Sequence, residues 1–170
     1  MLINSCDLLD ERIAKPVDKK FVFREPDQSG NDIEVRFIDS GYTKAILNSD
    51  KGRIYQEQKE TFLDDNVRVE FFSKYNGNRI SRLTADSVRI DDVTKNMTAR
   101  GNVIVKSDSS GNKLETSILD WNNQTQRIFS NEFVRITTAN EIIIGYGFES
   151  DQSLSNYKIN KVSGTSYRNK

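Results

Sequence analysis

Leu83–Thr84–Ala85–Asp86–Ser87–Val88–Arg89–Ile90 and, after a shift of 31 residues, Leu114–Glu115–Thr116–Ser117–Ile118–Leu119–Asp120–Trp121 share an irregularity that decides the fold. In each stretch the inward-type positions begin on one side-chain phase (Leu83, Ala85; Leu114, Thr116) and finish on the other (Val88, Ile90; Leu119, Trp121). Successive side chains of a strand point to opposite faces, so a phase change demands a bulge or bend at that point. The match runs on without a gap, with Met97, Ala99, Val103 and Val105 falling on Ile128, Ser130, Val134 and Ile136. The repeated unit is a pair of strands that folds over a corner, and such V-shaped units stack into a jellyroll or sandwich.

The same grammar extends outward. Val67, Val69 and Phe71 alternate with Arg68 and Glu70, the period-two mark of a half-buried strand. Turn signals stand at Ser29–Gly30–Asn31, Lys51–Gly52–Arg53, Asn76–Gly77–Asn78, Ser110–Gly111–Asn112 and Asn122–Asn123. The prolines, Pro16 and Pro26, both precede the main run of strands, and no amphipathic helix follows residue 20. The reading is a single all-β domain over residues 21–165, preceded by a tether at 1–20 and followed by a short tail at 166–170.

Composition narrows the function. The chain has 170 residues, with 25 basic and 25 acidic side chains that cancel. A general nucleic-acid binder needs a basic excess, so nucleic acid is not an expected partner. There is no histidine and a single cysteine, which removes the commonest general base and excludes an intramolecular disulfide or a thiolate zinc site. Gly145–Tyr146–Gly147 lacks the third glycine and following helix of a dinucleotide fingerprint, so it reads as a bulge or close backbone approach in a strand. Asp64–Asp65 and Asp91–Asp92 lack a metal-ligand series and read as turn chemistry. Asn96–Met97–Thr98 and Asn123–Gln124–Thr125 fit the glycosylation sequon, but their asparagines serve turns equally well. No nucleophile, base and orienting group come together in the sequence. A non-enzymatic protein without cofactor or metal is expected.

Two questions stay open at this level. Aliphatic rows such as these are simply core if the sandwich shuts, whereas an unshut V leaves an apolar groove suited to acyl chains, each buried methylene worth about 0.8 kcal/mol. Ile3–Asn4–Ser5–Cys6 resembles the end of a bacterial lipobox, in which the cysteine receives a lipid anchor, and Asp7 resembles an inner-membrane retention signal. The other reading of Cys6 is a free thiol in a terminal tether.

Taken in order, several stretches resemble the LptC family, the periplasmic component of the lipopolysaccharide-export machinery. They are Ser40–Gly41–Tyr42–Thr43–Lys44–Ala45–Ile46–Leu47, Leu83–Thr84–Ala85–Asp86 with Ala99–Arg100–Gly101–Asn102–Val103–Ile104–Val105, and Leu119–Asp120–Trp121–Asn122 with Arg127–Ile128–Phe129–Ser130. Gly145–Tyr146–Gly147–Phe148–Glu149–Ser150–Asp151, Tyr157–Lys158–Ile159 and Val162–Ser163–Gly164 are similar to the family's C-terminal end.

The resemblance implies a twisted antiparallel β-jellyroll of stacked V-shaped strands whose lumen takes the acyl chains of lipid A. It implies a protein that receives lipopolysaccharide from an LptB/LptF/LptG-type ATP-driven inner-membrane transporter and passes it to an LptA-like periplasmic protein. Strand addition at unpaired edges would join the modules. By position Gly41 matches a family glycine near the N-terminal edge, and Gly41 and Ala45 are the expected partner edge. The expected lumen lining is Val67, Val69, Phe71, Leu83, Val88, Ile90, Val103, Val105, Leu119, Trp121, Val134 and Ile136. Many members carry an N-terminal transmembrane helix; here the expected anchor is a lipidated Cys6, and the expected location is the periplasm beside the inner membrane. A soluble LptA-like bridge and a structural envelope β-solenoid that binds no lipid are the alternatives.

Overall fold

A computed structural model describes residues 24–167. Nine strands follow one another: β1 (Gln28–Asp39), β2 (Tyr42–Tyr55), β3 (Glu60–Phe72), β4 (Arg79–Asp91), β5 (Met97–Ser107), β6 (Lys113–Asn122), β7 (Arg127–Thr137), β8 (Glu141–Asp151) and β9 (Tyr157–Tyr167). They form a single antiparallel sheet in chain order, each strand bonded to its sequence neighbours, with β1 and β9 at the edges. No helix occurs among the described residues. The tether with Cys6, and residues 168–170, lie outside them.

A corner crosses the sheet, and alternate strands turn it differently. Register breaks fall between Thr84 and Ser87, between Arg100 and Val103, between Thr116 and Asp120 and between Ser130 and Phe133. In β4 the buried row switches phase from Leu83 and Ala85 to Val88 and Ile90, as the repeat predicts. In β3 and β5 the row keeps its phase, from Leu63 to Val67 and from Ala99 to Val103. Two residues of left-handed backbone are inserted instead: Asp65 and Asn66 (φ 62° and 51°), and Gly101 and Asn102 (φ 73° and 45°). Asparagine tolerates that conformation better than most residues. Each asparagine here also donates to a carboxylate on the preceding strand, Asn66 to Asp50 at 2.5 Å and Asn102 to Asp86 at 2.9 Å. Asp64–Asp65 is therefore corner chemistry inside β3 rather than a turn.

The corner gives the sheet two arms. The first holds the early halves of even-numbered strands and the late halves of odd-numbered ones; the second holds the rest. Apolar side chains on the inner faces of both arms merge into a single core, with Leu47, Val105, Leu114, Ile128, Val134 and Ile136 fully buried. Complete burial of each such side chain contributes about 1.5–3 kcal/mol. Trp121 on the second arm stacks on Phe37 of the first (centroids 5.8 Å, 18° between planes) and meets Phe71 of the first at 5.7 Å. The arms also clasp at their tips. Gln126 Nε2 donates to the Tyr42 hydroxyl at 2.8 Å, and Lys44 Nζ reaches the Asn123 carbonyl at 3.3 Å. Ser110 Oγ donates to the Ser153 carbonyl at 2.9 Å, and Asn112 Nδ2 to that of Leu154 at 2.8 Å.

Two expected turns are not turns. Gly30 and Gly52 lie inside β1 and β2, directly opposite each other in the ladder. Their missing side chains leave a floor on which Ile33 lies: a Cβ on Gly52 would come within 2.7 Å of Ile33 Cγ1 and one on Gly30 within 3.2 Å of its Cδ1. Glycine flanked by polar residues is punctuation in most sequences, but in a strand it also marks a close approach. Gly145 shows this second use as expected, since a Cβ there would strike the Lys161 carbonyl of β9.

Candidate functional site

The inner faces of the two arms enclose the only extended apolar space that the sequence reading singled out, and its lining can be followed residue by residue. Val67, Val69, Phe71, Leu83, Val103, Val105, Val134 and Ile136 sit on the first arm; Val88, Ile90, Leu119 and Trp121 sit on the second. All twelve are buried and belong to the same cluster. In the middle of the molecule, therefore, the two rows fill the lumen with their own side chains.

Toward β1 the packing stops. A cavity of about 370 Å³ opens there, walled by Ile33, Val35, Phe37, Leu63 and Ile90 and floored by Gly52. That lies within the roughly 300–1,000 Å³ range of small-molecule sites. Ile90 is the member of this wall that the sequence reading named. Ile33, Val35 and Phe37 alternate visibly in the sequence, and Leu63 shares the phase of Val67, so the signal was present. It was obscured because Gly30 and Gly52 read as turns on either side of that stretch.

The rim of the cavity is charged. Arg53 donates from Nη2 to Asp64 at 2.7 Å and from Nε at 3.1 Å, and this hydrogen bond holds its pKa above the ordinary value. Lys95 stands 4.0 Å from Asp92, whose carboxylate accepts from the Thr61 hydroxyl at 3.0 Å. An apolar interior behind a rim bearing both signs of charge suits an amphiphile whose chain enters and whose head stays in water.

The expected partner edge is placed differently from the lining. Gly41 occupies the tight β1–β2 turn at φ 84° with open space beside it, while Ala45 is fully buried between Phe37 of β1 and Phe71 of β3. β2 is bonded on both sides, so the unpaired backbone groups belong to β1 and β9. Next to Ala45, Lys44 is buried and ion-paired to Asp39 at 2.9 Å. That hydrogen bond from Lys44, with a second from Ser40, holds the Asp39 carboxyl below its usual range.

A family model described as "Lipopolysaccharide-assembly, LptC-related" matches residues 14–168. The chain belongs to the LptC family. Among solved structures it is similar to LptH from Pseudomonas aeruginosa, described as the LptA homologous periplasmic component of the conserved lipopolysaccharide transport device. The two align with a TM-score of 0.54 and 12% identity over 71% of this chain and 84% of that chain, a likeness of fold. No curated protein matches. LptC membership gives the chain a non-enzymatic role in lipopolysaccharide transport, in the periplasmic part of the cell envelope, among Lpt proteins and their lipid. The jellyroll, one of the two architectures the repeat points to and the one the resemblance implies, is the fold observed.

Proposed function

We propose that this LptC-family protein takes lipopolysaccharide from an LptB/LptF/LptG-type inner-membrane transporter and passes it to an LptA-like periplasmic protein, holding acyl chains in the lumen between the arms. The observation that carries this reading is the apolar cavity beside β1. It adjoins a strand whose outer backbone groups are unpaired, so a neighbouring sheet can extend this one and continue its trough. In the packed middle a chain entering from the open end would have to part the lining side chains. Residues 21–165 form the transport module, residues 166–170 its tail, and residues 1–20 tether it, with Cys6 as the lipid anchor that holds it beside the inner membrane.

The test is site-specific photocrosslinking during export, combined with co-elution of the purified chain with lipopolysaccharide against excess phospholipid. Crosslinkers at Val69 or Val103, on the inner face, capture lipopolysaccharide, and one at the outward-facing Arg68 does not. Capture at Arg68 instead, or no phospholipid-resistant co-elution from a well-folded protein, would make the chain a scaffold. A Cys6→Ser variant that stays with the membrane fraction would remove the anchor from the proposal.

A further inference from the structure

Behind the cavity wall lies a polar atom that the apolar lining does not explain. Trp121 is 3% exposed, and its indole Nε1–H has no hydrogen-bond partner. A second orphan, the Ser81 hydroxyl, is also fully buried. The two flank one ring: Phe71 is the register partner of Ser81 across β3 and β4, and it packs on Trp121 at 5.7 Å. Buried donors are nearly always paired, and an indole N–H can only donate. A plain hydrocarbon chain cannot satisfy it. An oxygen can.

Phe37 stands between this spot and the cavity. Its ring lines the cavity on one side and stacks on Trp121 on the other. It is carried by the edge strand β1, which has a neighbour on one side only, and the register breaks immediately after it, between Phe37 and Ile38. The ring is thus a buried part of the wall that an edge strand carries, at a break in that strand's register.

We propose, building on the transport reading, that Trp121 is a specificity-determining residue of the lumen. An acyl chain entering the β1 cavity displaces the Phe37 ring, and an oxygen carried by that chain, a hydroxyl or an ester carbonyl, accepts a hydrogen bond from the Trp121 Nε1–H. The site thus selects oxygen-bearing acyl chains over plain ones of the same length.

The experiment compares 3-hydroxytetradecanoate with tetradecanoate on the purified chain, unmodified and as Trp121→Phe. The hydroxylated chain is expected to bind about three- to tenfold more tightly, the value of one neutral hydrogen bond, and the substitution to bring the two affinities together. Because Trp121 is the single tryptophan of the chain, its emission in the unmodified protein gives a second readout. It should lie further to the red with the hydroxylated chain than with the plain one. Equal affinities with equal emission, or a preference that survives Trp121→Phe, would overturn the hydrogen bond and leave the transport reading standing. Failure of both chains to bind would overturn the two together.

Discussion

The two ends of the lumen are built on opposite terms. Around β5 to β8 the arms are locked: Leu154 of the β8–β9 loop is fully buried in the core, the Ser153 and Leu154 carbonyls accept bonds from the β5–β6 turn, and Leu114, Ile128 and Ile136 are fully buried. Around β1 to β3 the same inner face has facing glycines, a half-buried Ile33 and a cavity. One sequence grammar thus makes a closed core at one place and a receptacle at another. Contacts cross between the arms in both regions, and the difference lies in the inner face itself, which carries facing glycines at the open place and large buried side chains at the closed one. Stability should reside in the locked region and ligand capacity in the open one, and each can be damaged without the other.

The largest contrast is expected between Leu114→Ala and Ile33→Ala. The first leaves a cavity in the locked core and should cost about 2–5 kcal/mol. The second, at a side chain half in water, should cost about 1 kcal/mol while enlarging the receptacle. Denaturant midpoints at constant slope measure both. A comparable loss at Ile33 would mean that the open end is core after all.

Glycine substitutions sharpen the same contrast. Gly101 sits at φ 73°, and a Cβ there would collide with the Asp86 side chain, so Gly101→Ala should cost about 1–3 kcal/mol by opening the corner. Gly52 has ordinary backbone, and a methyl there meets Ile33. Gly52→Ala should change stability by less than about 1 kcal/mol but weaken acyl-chain binding, read by displacement of a fluorescent fatty acid.

Smaller effects come from the clasps. Tyr42→Phe deletes the bond from Gln126 and should cost about 0.5–1.5 kcal/mol, with faster hydrogen exchange in the β6–β7 turn. The smallest is a pH effect at the β8–β9 loop. Burial pushes the Asp151 carboxyl up, but donors from Ser153, Asn156 and the Ser155 backbone outweigh it and leave the pKa lowered. A depressed folded-state pKa adds stability above the ordinary carboxylate range, and that stability is lost as pH falls through the folded value. Acid should therefore loosen this loop in the wild-type protein, and Asp151→Asn should flatten the dependence in a thermal-melt series against pH.

What was legible in the sequence follows from the same geometry. The phase change at Ala85 to Val88 exposed the corner because an odd insertion flips the row. In β3 and β5 the corner inserts two positions through the left-handed pairs Asp65–Asn66 and Gly101–Asn102, so period-two reading passes over it without a signal. The inward faces of β3 to β7 were readable for that reason, and the wall made by Ile33, Val35, Phe37 and Leu63 was missed because Gly30 and Gly52 resemble punctuation. Nor does any local pattern reveal that Phe37 and Trp121 meet, since their contact spans the arms. The expectation that Gly41 and Ala45 mark an edge came from likeness in position alone, and the ladder gives that edge to β1.

The order of the strands has one more consequence. Because every strand bonds only to the strands before and after it in the chain, no segment threads past another. The backbone ladder in such an arrangement is a sum over adjacent pairs, to which the side-chain contacts between the arms are added. A hairpin inserted or deleted anywhere between β1 and β9 leaves the topology of the remainder unchanged and alters the trough by two strand spacings, about 10 Å. Length is thus a free parameter of this architecture, set by counting hairpins, and the span of envelope that one chain covers can change without any new fold.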